Sequence, residues 1–170
     1  MFFCVRSRPI FIQTINPQKA MRLVIQRVTE ASVSIDGEII SQIGKGLLIL
    51  VGVEHGDTEQ DAAWLAAKTA NMRIFDDPGG VMNLSVKDVS GELLAVSQFT
   101  LTASTRKGNR PSYIRAAGHD LAIPLYEKYC ELLSIECGKS VLKGVFGANM
   151  QVRLLNDGPV TIIIDSKLKE

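Results

Sequence analysis

The chain has 170 residues, a formal net charge of +1 and 46% hydrophobic residues. This length suits one ordinary domain, and the composition is typical of a globular protein rather than a disordered one. No apolar stretch approaches the roughly 20 residues that a membrane-spanning helix needs, so we expect no membrane association.

The positive charge is concentrated at the start of the chain. Residues 1–20 contain three basic residues and no acidic one, which leaves 16 basic against 18 acidic residues in the remainder. A generally basic nucleic-acid binder is therefore excluded, and any contact with RNA must come from a local patch.

The first 20 residues also differ from the rest in pattern. They show no clear hydrophobic period, whereas a strongly patterned segment begins at Met21. We predict one domain over residues 21–170, preceded by an N-terminal extension over residues 1–20. The extension is either a start codon assigned too far upstream or a short basic targeting arm.

Strands dominate the beginning of the predicted domain. Residues 22–28 are rich in β-branched side chains, and the alternating segments 31–35 and 38–43 flank a hairpin turn at Asp36-Gly37. The continuous apolar run 46–53 is typical of a strand that is buried on both faces.

The middle of the chain alternates between helices and polar segments. A helix is predicted over about 58–71, with Asp57 as its N-cap. A central strand over 93–101 follows, then a polar, basic loop over 104–112 and a second helix over about 119–136.

Two last strands, over 150–155 and 160–165, are predicted on either side of the turn-forming residues 156–159. Many strands and two helices without a repeat predict an α+β fold. We expect a largely antiparallel, barrel-like β-sheet flanked by the two helices.

The usual catalytic constellations are missing. His55 and His119 have no partner at metal-ligand spacing, and we predict both in surface loops. Cys4, Cys130 and Cys137 form no CxxC pair, which suits a reducing compartment and a cytoplasmic location. The latter two are interpreted as core or helix-end residues. We expect neither a metal nor a cofactor.

Two segments, Ser97 to Thr100 and Asn156 to Thr161, resemble the paired signatures of the D-aminoacyl-tRNA deacylase family. Other segments match this family in the same order and position: Met21 to Val28, Met82 to Ser85, Lys107 to Ser112 and Gly147 to Gln151. The resemblance covers about residues 21–165.

This resemblance implies an enzyme of translation quality control. Members of the family hydrolyse the ester between a D-amino acid and the terminal ribose of tRNA, releasing both, and they reject L-aminoacyl-tRNA. The implied protein is a homodimer with active sites at the subunit interface, and the vicinal 2′-hydroxyl of the RNA assists catalysis. Because glycine is achiral, mischarged glycyl-tRNA is an implied substrate as well.

The implied catalytic segment consists of Ser97, Gln98, Phe99 and Thr100. Backbone N–H groups of Phe99 and Thr100 are suited to stabilise the developing oxyanion. No base stands near Thr100 in the sequence, which favours a positioning role over a nucleophilic one, although the nucleophile stays open. On the residues alone, this segment is also explained as the end of a strand.

Gly158 and Pro159 are implied to form a cis peptide that enters the partner's active site and leaves no room for an L side chain. Arg27 aligns with a family arginine that braces this pair. Without the resemblance, Asn-Asp-Gly-Pro is ordinary turn chemistry and Arg27 is equally well explained as a solvated charge.

Arg106, Lys107 and Arg110 form the only dense basic cluster of the predicted domain, and they are suited to bind tRNA phosphates. A solvated loop is the alternative. Two other functions stay open: an esterase with Thr100 as its nucleophile, and a non-catalytic RNA-binding module on the same fold.

Overall fold

The computed structural model describes residues 20–168, and this part of the chain alternates between strands and helices. In chain order the elements are β1 (Arg22–Ile35), β2 (Glu38–Ile43), β3 (Gly46–Gly52), α1 (Glu59–Asn71), β4 (Phe75–Asp76), β5 (Met82–Leu84), β6 (Glu92–Ser97), a 3-10 helix (Phe99–Thr102), α2 (His119–Cys137), β7 (Val141–Lys143) and β8 (Gln151–Asp165). The predictions made for the first 19 residues lie outside the described part. No helix within residues 20–168 is long and apolar enough to cross a membrane.

Strand β1 organises the main sheet. Along one edge it pairs antiparallel with β8, and along the other with β3 and then β2. Strands β6 and β7 continue the sheet in parallel, because α1 and α2 lie in the connections that precede them. The Ser41 hydroxyl donates to the Lys143 carbonyl at 2.6 Å, which joins β2 to β7 and nearly closes the sheet into a barrel. The predicted α+β, barrel-like fold with two helices is confirmed.

Strands β3 and β6 are buried on both faces, as the apolar run in β3 predicts. Their alternate side chains enter two different hydrophobic clusters. Leu47, Ile49 and Ala95 pack towards the helices, whereas Leu48 and Leu94 pack with the second cluster on the opposite face. This double burial explains why both strands lack a polar face.

Pairing between β1 and β8 corrects the predicted strand ends. The predicted strands over 22–28 and 31–35 are one strand, and so are those over 150–155 and 160–165. Gln26 pairs with Thr161, but Val28 pairs with Asn156. Residues 157–160 therefore bulge out opposite a single residue of β1, while backbone pairing resumes on both sides.

The strand predicted over 93–101 ends four residues early. The Gln98 N–H donates to the Val51 carbonyl at 2.7 Å, and β3 ends at the next residue, Gly52. Without a neighbouring strand to pair with, the chain turns into the 3-10 helix. A Cβ at Gly52 would lie 2.9 Å from Cβ of Leu101, so glycine allows this helix to cross the end of β3.

Helix α1 begins with a different cap from the predicted one. Thr58 is the N-cap and forms a capping box with Asp61. Asp57 instead accepts the Glu54 N–H at 2.7 Å. Helix α2 occupies the predicted segment and ends at Cys137, where it is capped by Gly138, whose φ of 65° is left-handed.

Candidate active site

A pocket of about 520 Å³ opens at the carboxyl ends of the parallel strands β3 and β6. Its walls are mostly apolar and include Val96, Phe146 and Met150, while Gln98 and His119 add polar groups. Such a volume and lining are typical of a small-molecule site, and this edge of a parallel sheet is a common place for one.

The first three residues of the Ser97-Gln98-Phe99-Thr100 segment line this pocket. The strand ends at Ser97, and the 3-10 helix begins at Phe99. The first N–H groups of a helix have no acceptor inside it, so those of Phe99 and Thr100 are not used by the 3-10 helix itself. They are backbone donors next to the pocket wall that Ser97, Gln98 and Phe99 form.

Thr100 lies apart from these three residues. It is half-buried and borders a neighbouring cavity of about 940 Å³, together with Arg22 and Leu101. The Gln98 side-chain amide donates to its hydroxyl. Within residues 20–168, neither a histidine nor a carboxylate hydrogen-bonds to this hydroxyl, so the structure provides no base that would activate it.

Gly158 and Pro159 lie at the exposed tip of the β8 bulge. The peptide bond between them is cis, as the family resemblance implied, and Gly158 has a φ of 125°. Neither residue lines the pocket of its own chain. Within one chain, the structure therefore does not bring the two signature segments together.

Arg27 lies beneath this bulge and is 6% exposed. Its Nε donates to the Asp157 carbonyl at 3.1 Å, and its Nη1 donates to the Ile74 carbonyl at 2.7 Å. A Cβ at Gly158 would lie 3.0 Å from Nη2 of Arg27. The structure thus places this arginine as a buried support under the Gly-Pro pair and excludes a solvated strand-end charge.

The basic cluster lies in a loop whose ends are tied together. Ser104 and Ser112 exchange two backbone hydrogen bonds of 2.8 and 2.9 Å. Between them, Arg106, Lys107 and Arg110 are exposed, and none of them forms a salt bridge with another described residue. Their charges are therefore available to an anionic partner.

The pocket also contains residues whose position sequence reasoning missed. His119 was predicted in a surface loop, but it is the first residue of α2, where its ring meets Phe146 edge-on at 5.7 Å between ring centres. Phe146 and Met150 complete the wall. The match of residues 147–151 to the family was the available signal, but it did not indicate that this segment faces residues 97–99.

The other predicted non-catalytic residues lie where expected. His55 is exposed in a turn after β3. Cys130 is buried and Cys137 is partly buried in α2, and burial raises the pKa of the Cys130 thiol to about 12. Within residues 20–168, no group of three or more His, Cys, Asp and Glu residues is arranged to hold a metal ion.

Comparison with known proteins gives a consistent result. A family profile described as D-Tyr-tRNA(Tyr) deacylase matches residues 24–165. The chain is 65% identical to a D-aminoacyl-tRNA deacylase of Porphyromonas gingivalis and 61% identical to one of Parabacteroides distasonis. Each match extends over 150 residues, which are 88% of this chain and 100% of the relative.

Two solved structures share the fold. One is named c-Myc DNA Unwinding Element Binding Protein, with a TM-score of 0.79 and 40% identity, and the match covers 84% of this chain and 97% of that one. The other is described as a "probable eukaryotic D-amino acid tRNA deacylase", with a TM-score of 0.74 and 16% identity over 86% of this chain and 99% of that one.

Proposed function

This chain belongs to the D-Tyr-tRNA(Tyr) deacylase family, and from this premise we propose that it hydrolyses the ester of D-aminoacyl-tRNA, releasing the free D-amino acid and tRNA. It is thus an ester hydrolase of translation quality control. The observation that carries the proposal is the pocket at the ends of β3 and β6, where Ser97, Gln98 and Phe99 present backbone and polar side-chain groups beside apolar walls.

The pocket is suited to the terminal adenosine of tRNA. Phe146 offers a flat ring and Met150 a polarisable thioether to a purine ring, while Ser97 and Gln98 supply polar groups near the strand ends. The scissile ester then lies near the start of the 3-10 helix. There, the N–H groups of Phe99 and Thr100 can donate to the oxyanion that forms when the carbonyl is attacked.

The reaction needs little from protein side chains. An aminoacyl ester is already a reactive acyl group, and the vicinal 2′-hydroxyl of the ribose is held beside it by the RNA itself. We assign assistance of the water attack to this 2′-hydroxyl. Thr100 positions the substrate or the 3-10 helix, because its hydroxyl meets the Gln98 amide rather than a base.

Selection by handedness is assigned to Gly158 and Pro159 of a second subunit. Both are exposed, lie outside the pocket of their own chain and are supported by a buried guanidinium. A rigid main-chain wall near the α-carbon rejects an L side chain sterically, whereas a D side chain points away from it. Glycyl esters, which have no side chain, fit the same site.

This assignment requires a homodimer, and the exposed edge of β8 is suited to form its interface. Among the described strands β8 pairs with β1 alone, and it presents exposed Val152, Leu155 and Ile163. An unpaired edge with exposed apolar side chains favours association. Val152 also lines the pocket, so a subunit that covers this strand reaches the pocket as well.

The remaining assignments concern the tRNA body and the location of the enzyme. Arg106, Lys107 and Arg110 bind backbone phosphates near the acceptor end. The reaction as written uses no cofactor and no metal, and a cytoplasmic location follows from the proposed substrate.

A single assay tests the proposed activity. Purified protein is incubated with D-Tyr-tRNA, L-Tyr-tRNA and a D-Tyr-tRNA whose terminal ribose is 2′-deoxy, with the amino acid attached at the 3′ position, and ester loss is followed. We expect loss of the D ester alone. Loss from the 2′-deoxy substrate at a similar rate, or loss of both D and L esters, would instead favour an esterase with a Thr100 nucleophile.

A second candidate is a nucleic-acid-binding module without catalysis. One observation favours it: the structure with 40% identity carries the name of a DNA-binding protein. This candidate predicts that neither ester is lost while the protein still binds the nucleic acid, so the same assay combined with a binding measurement separates the two.

A further inference from the structure

An exposed hydrophobic surface lies between the pocket and the basic loop. Phe99 is 58% exposed and Tyr113 is 41% exposed, and their rings meet edge-on with centres 5.1 Å apart. The next residue, Ile114, is 83% exposed. We call Phe99, Tyr113 and Ile114 the aromatic step. Contiguous exposed apolar side chains usually mark a binding surface.

The aromatic step is held in place by Arg115, which is partly exposed and forms an ion pair with the buried Glu54. Arg115 follows it directly and donates through Nε and Nη2 to the Thr102 carbonyl, at 3.2 and 3.1 Å. Glu54, which is 1% exposed, lies 3.4 Å from the same guanidinium. This contact ties the segment that carries Tyr113 to the end of the 3-10 helix that begins at Phe99, so the surface is preformed.

All charged residues in the segment of sequence around the aromatic step are basic. Residues 93–119 contain four basic residues and no acidic one. One of these, Arg115, is engaged by Glu54, which leaves Arg106, Lys107 and Arg110 exposed in the adjoining loop. A phosphodiester strand complements such a surface. A second copy of the chain does so less well, because two copies meeting here would bring their basic loops together.

We infer that the aromatic step stacks the unpaired nucleotides that precede the terminal adenosine of the tRNA, while the basic loop binds their phosphates. Phe99 lines the pocket, so an RNA strand leaving it passes Phe99 first and Tyr113 next. Stacking on exposed rings beside basic side chains is how proteins commonly hold single-stranded nucleic acid. This inference rests on the proposed function, because it places the terminal adenosine in the pocket.

The direct test measures binding, not cleavage. Fluorescence anisotropy is used with two RNA oligonucleotides, one ending in CCA and one in which both cytosines are replaced by abasic ribose. Both retain the phosphates, so the difference in affinity measures what the two cytosine bases contribute to binding. We expect the wild type to prefer the complete end by about 10-fold or more. Tyr113→Ala should abolish this preference, and Tyr113→Phe should retain it.

Two controls check that a loss of preference comes from the aromatic step and not from a general surface change or a change of oligomeric state. Ile135→Ala removes another exposed apolar side chain, 68% exposed near the end of α2, and should leave the preference intact. The mass of each variant is measured by analytical ultracentrifugation. If Tyr113→Ala changes the oligomeric state, the aromatic step is a contact between subunits and the inference is wrong. Equal affinity of the wild type for both oligonucleotides overturns it as well.

Cleavage separates this inference from the proposed function. The ratio of kcat/KM for D-aminoacyl-tRNA to that for D-aminoacyl-adenosine should fall by about 10-fold in Tyr113→Ala, since only the longer substrate reaches the aromatic step. A wild type that prefers the CCA end but cleaves neither substrate contradicts the proposed function while supporting the stacking surface. An unchanged ratio in Tyr113→Ala contradicts the stacking surface alone.

Discussion

At the scale of single residues, Arg27 shows how one buried side chain holds an irregular segment. The β8 bulge leaves residues 157–160 without regular pairing to β1. The guanidinium replaces part of that pairing by donating to the Asp157 carbonyl, and it lies 3.2 Å from the Asp157 carboxylate. It is anchored in turn by its bond to the Ile74 carbonyl. Arginine suits this role because its donors lie in a rigid plane and can serve several acceptors at once.

Replacing Arg27 should therefore affect stability and selectivity together. Arg27→Ala leaves buried acceptors unsatisfied, and we expect the free energy of unfolding to fall by about 3 kcal/mol in urea titrations. The ratio of D-ester to L-ester cleavage should also fall, because the Gly-Pro pair loses its support. Arg110→Ala, which removes an exposed arginine, should leave stability within about 0.5 kcal/mol of wild type. Similar stability losses in both variants would contradict a bracing role.

The role of Thr100 is open to a quantitative test. If its hydroxyl only positions the site, Thr100→Val removes about one hydrogen bond and should lower kcat for D-Tyr-tRNA by roughly 5- to 10-fold. Removing a true nucleophile costs on the order of 10⁴-fold or more. Cys130→Ala should leave kcat unchanged, because this thiol is buried in the core. A D-aminoacyl adduct on the protein in rapid-quench mass spectrometry would support the nucleophile instead.

At the scale of elements, the connection between β3 and α1 contains a buried group of acids. Asp57 is 4% exposed, and Glu54 and Asp61 lie near it. Its Oδ2 accepts the Glu54 N–H, while its Oδ1 is buried with no hydrogen-bond partner in the described part of the chain. Burial, reinforced by the charges of Asp61 and Glu54, raises the pKa of the Asp57 carboxyl to about 6, against the opposing hydrogen bond and Lys167.

This shift predicts a stability that falls as pH rises. The folded state binds the Asp57 proton more tightly than the unfolded state, whose pKa is near 3.8, so this contribution is complete below about pH 4 and is lost as pH rises through about 6. The expected loss is up to about 3 kcal/mol. Urea titrations between pH 4 and 7.5 should show it in wild type but not in Asp57→Asn, which retains an acceptor for Glu54. Parallel curves for the two proteins would contradict the prediction.

A second acid of this group titrates in a separate range. Burial of Asp61 works against its ionisation, but hydrogen bonds from Lys167 and Thr58 outweigh burial and lower its pKa. Its contribution to stability is therefore present above the unfolded pKa of 3.8 and is lost only at lower pH. The loss assigned to Asp57, centred near pH 6, lies above this range.

The basic loop gives a prediction of its own. Arg106, Lys107 and Arg110 are each proposed to contact a phosphate. In tRNA-binding titrations, changing all three to Gln should therefore make the slope of the log association constant against log salt concentration shallower by about 2 to 3. Thermal stability should not change, because the three side chains are exposed. An unchanged slope would mean that the loop is only a solvated surface.

At the scale of the whole molecule, β8 connects the features on which the proposed function depends. Its bulge presents Gly158 and Pro159, and its exposed apolar residues offer a surface to a second subunit. The pocket is formed by β3, β6, the 3-10 helix, α2 and residues 146–150, and Val152 near the start of β8 also lines it, far along the strand from the bulge. One chain thus displays a pocket and, elsewhere, the segment assigned to complete the pocket of another copy.

Disrupting this association should therefore disrupt catalysis. Leu155 is 57% exposed on β8, and Leu155→Arg places a charge within the proposed interface. We expect the dimer dissociation constant to rise by about 30-fold or more, and D-ester cleavage to fall in proportion to the dimer that is lost. Analytical ultracentrifugation and cleavage are measured at the same concentrations. Ile135→Arg, at an exposed position of α2, is the matched control. Full activity in a monomeric Leu155→Arg would rule out a shared site.

Sequence alone determined the parts of this protein that depend on local chemistry. The unbroken apolar run in β3 predicts burial on both faces, the Asp-Gly pair predicts the first hairpin, and the signature segments indicate the family. Each of these inferences uses residues that are neighbours along the chain, so hydrophobic periodicity and turn preference are sufficient.

Only the tertiary structure decided where the chain departs from local preference. Whether residues 97–101 continue as a strand depends on whether β3 extends far enough to pair with them, and it ends at Gly52. Whether residues 156–159 form a turn or a bulge depends on β1, which carries the pairing past them and places Arg27 beneath them. Both outcomes are set by hydrogen bonds to residues more than 40 positions away, and no local pattern in the sequence encodes such partners.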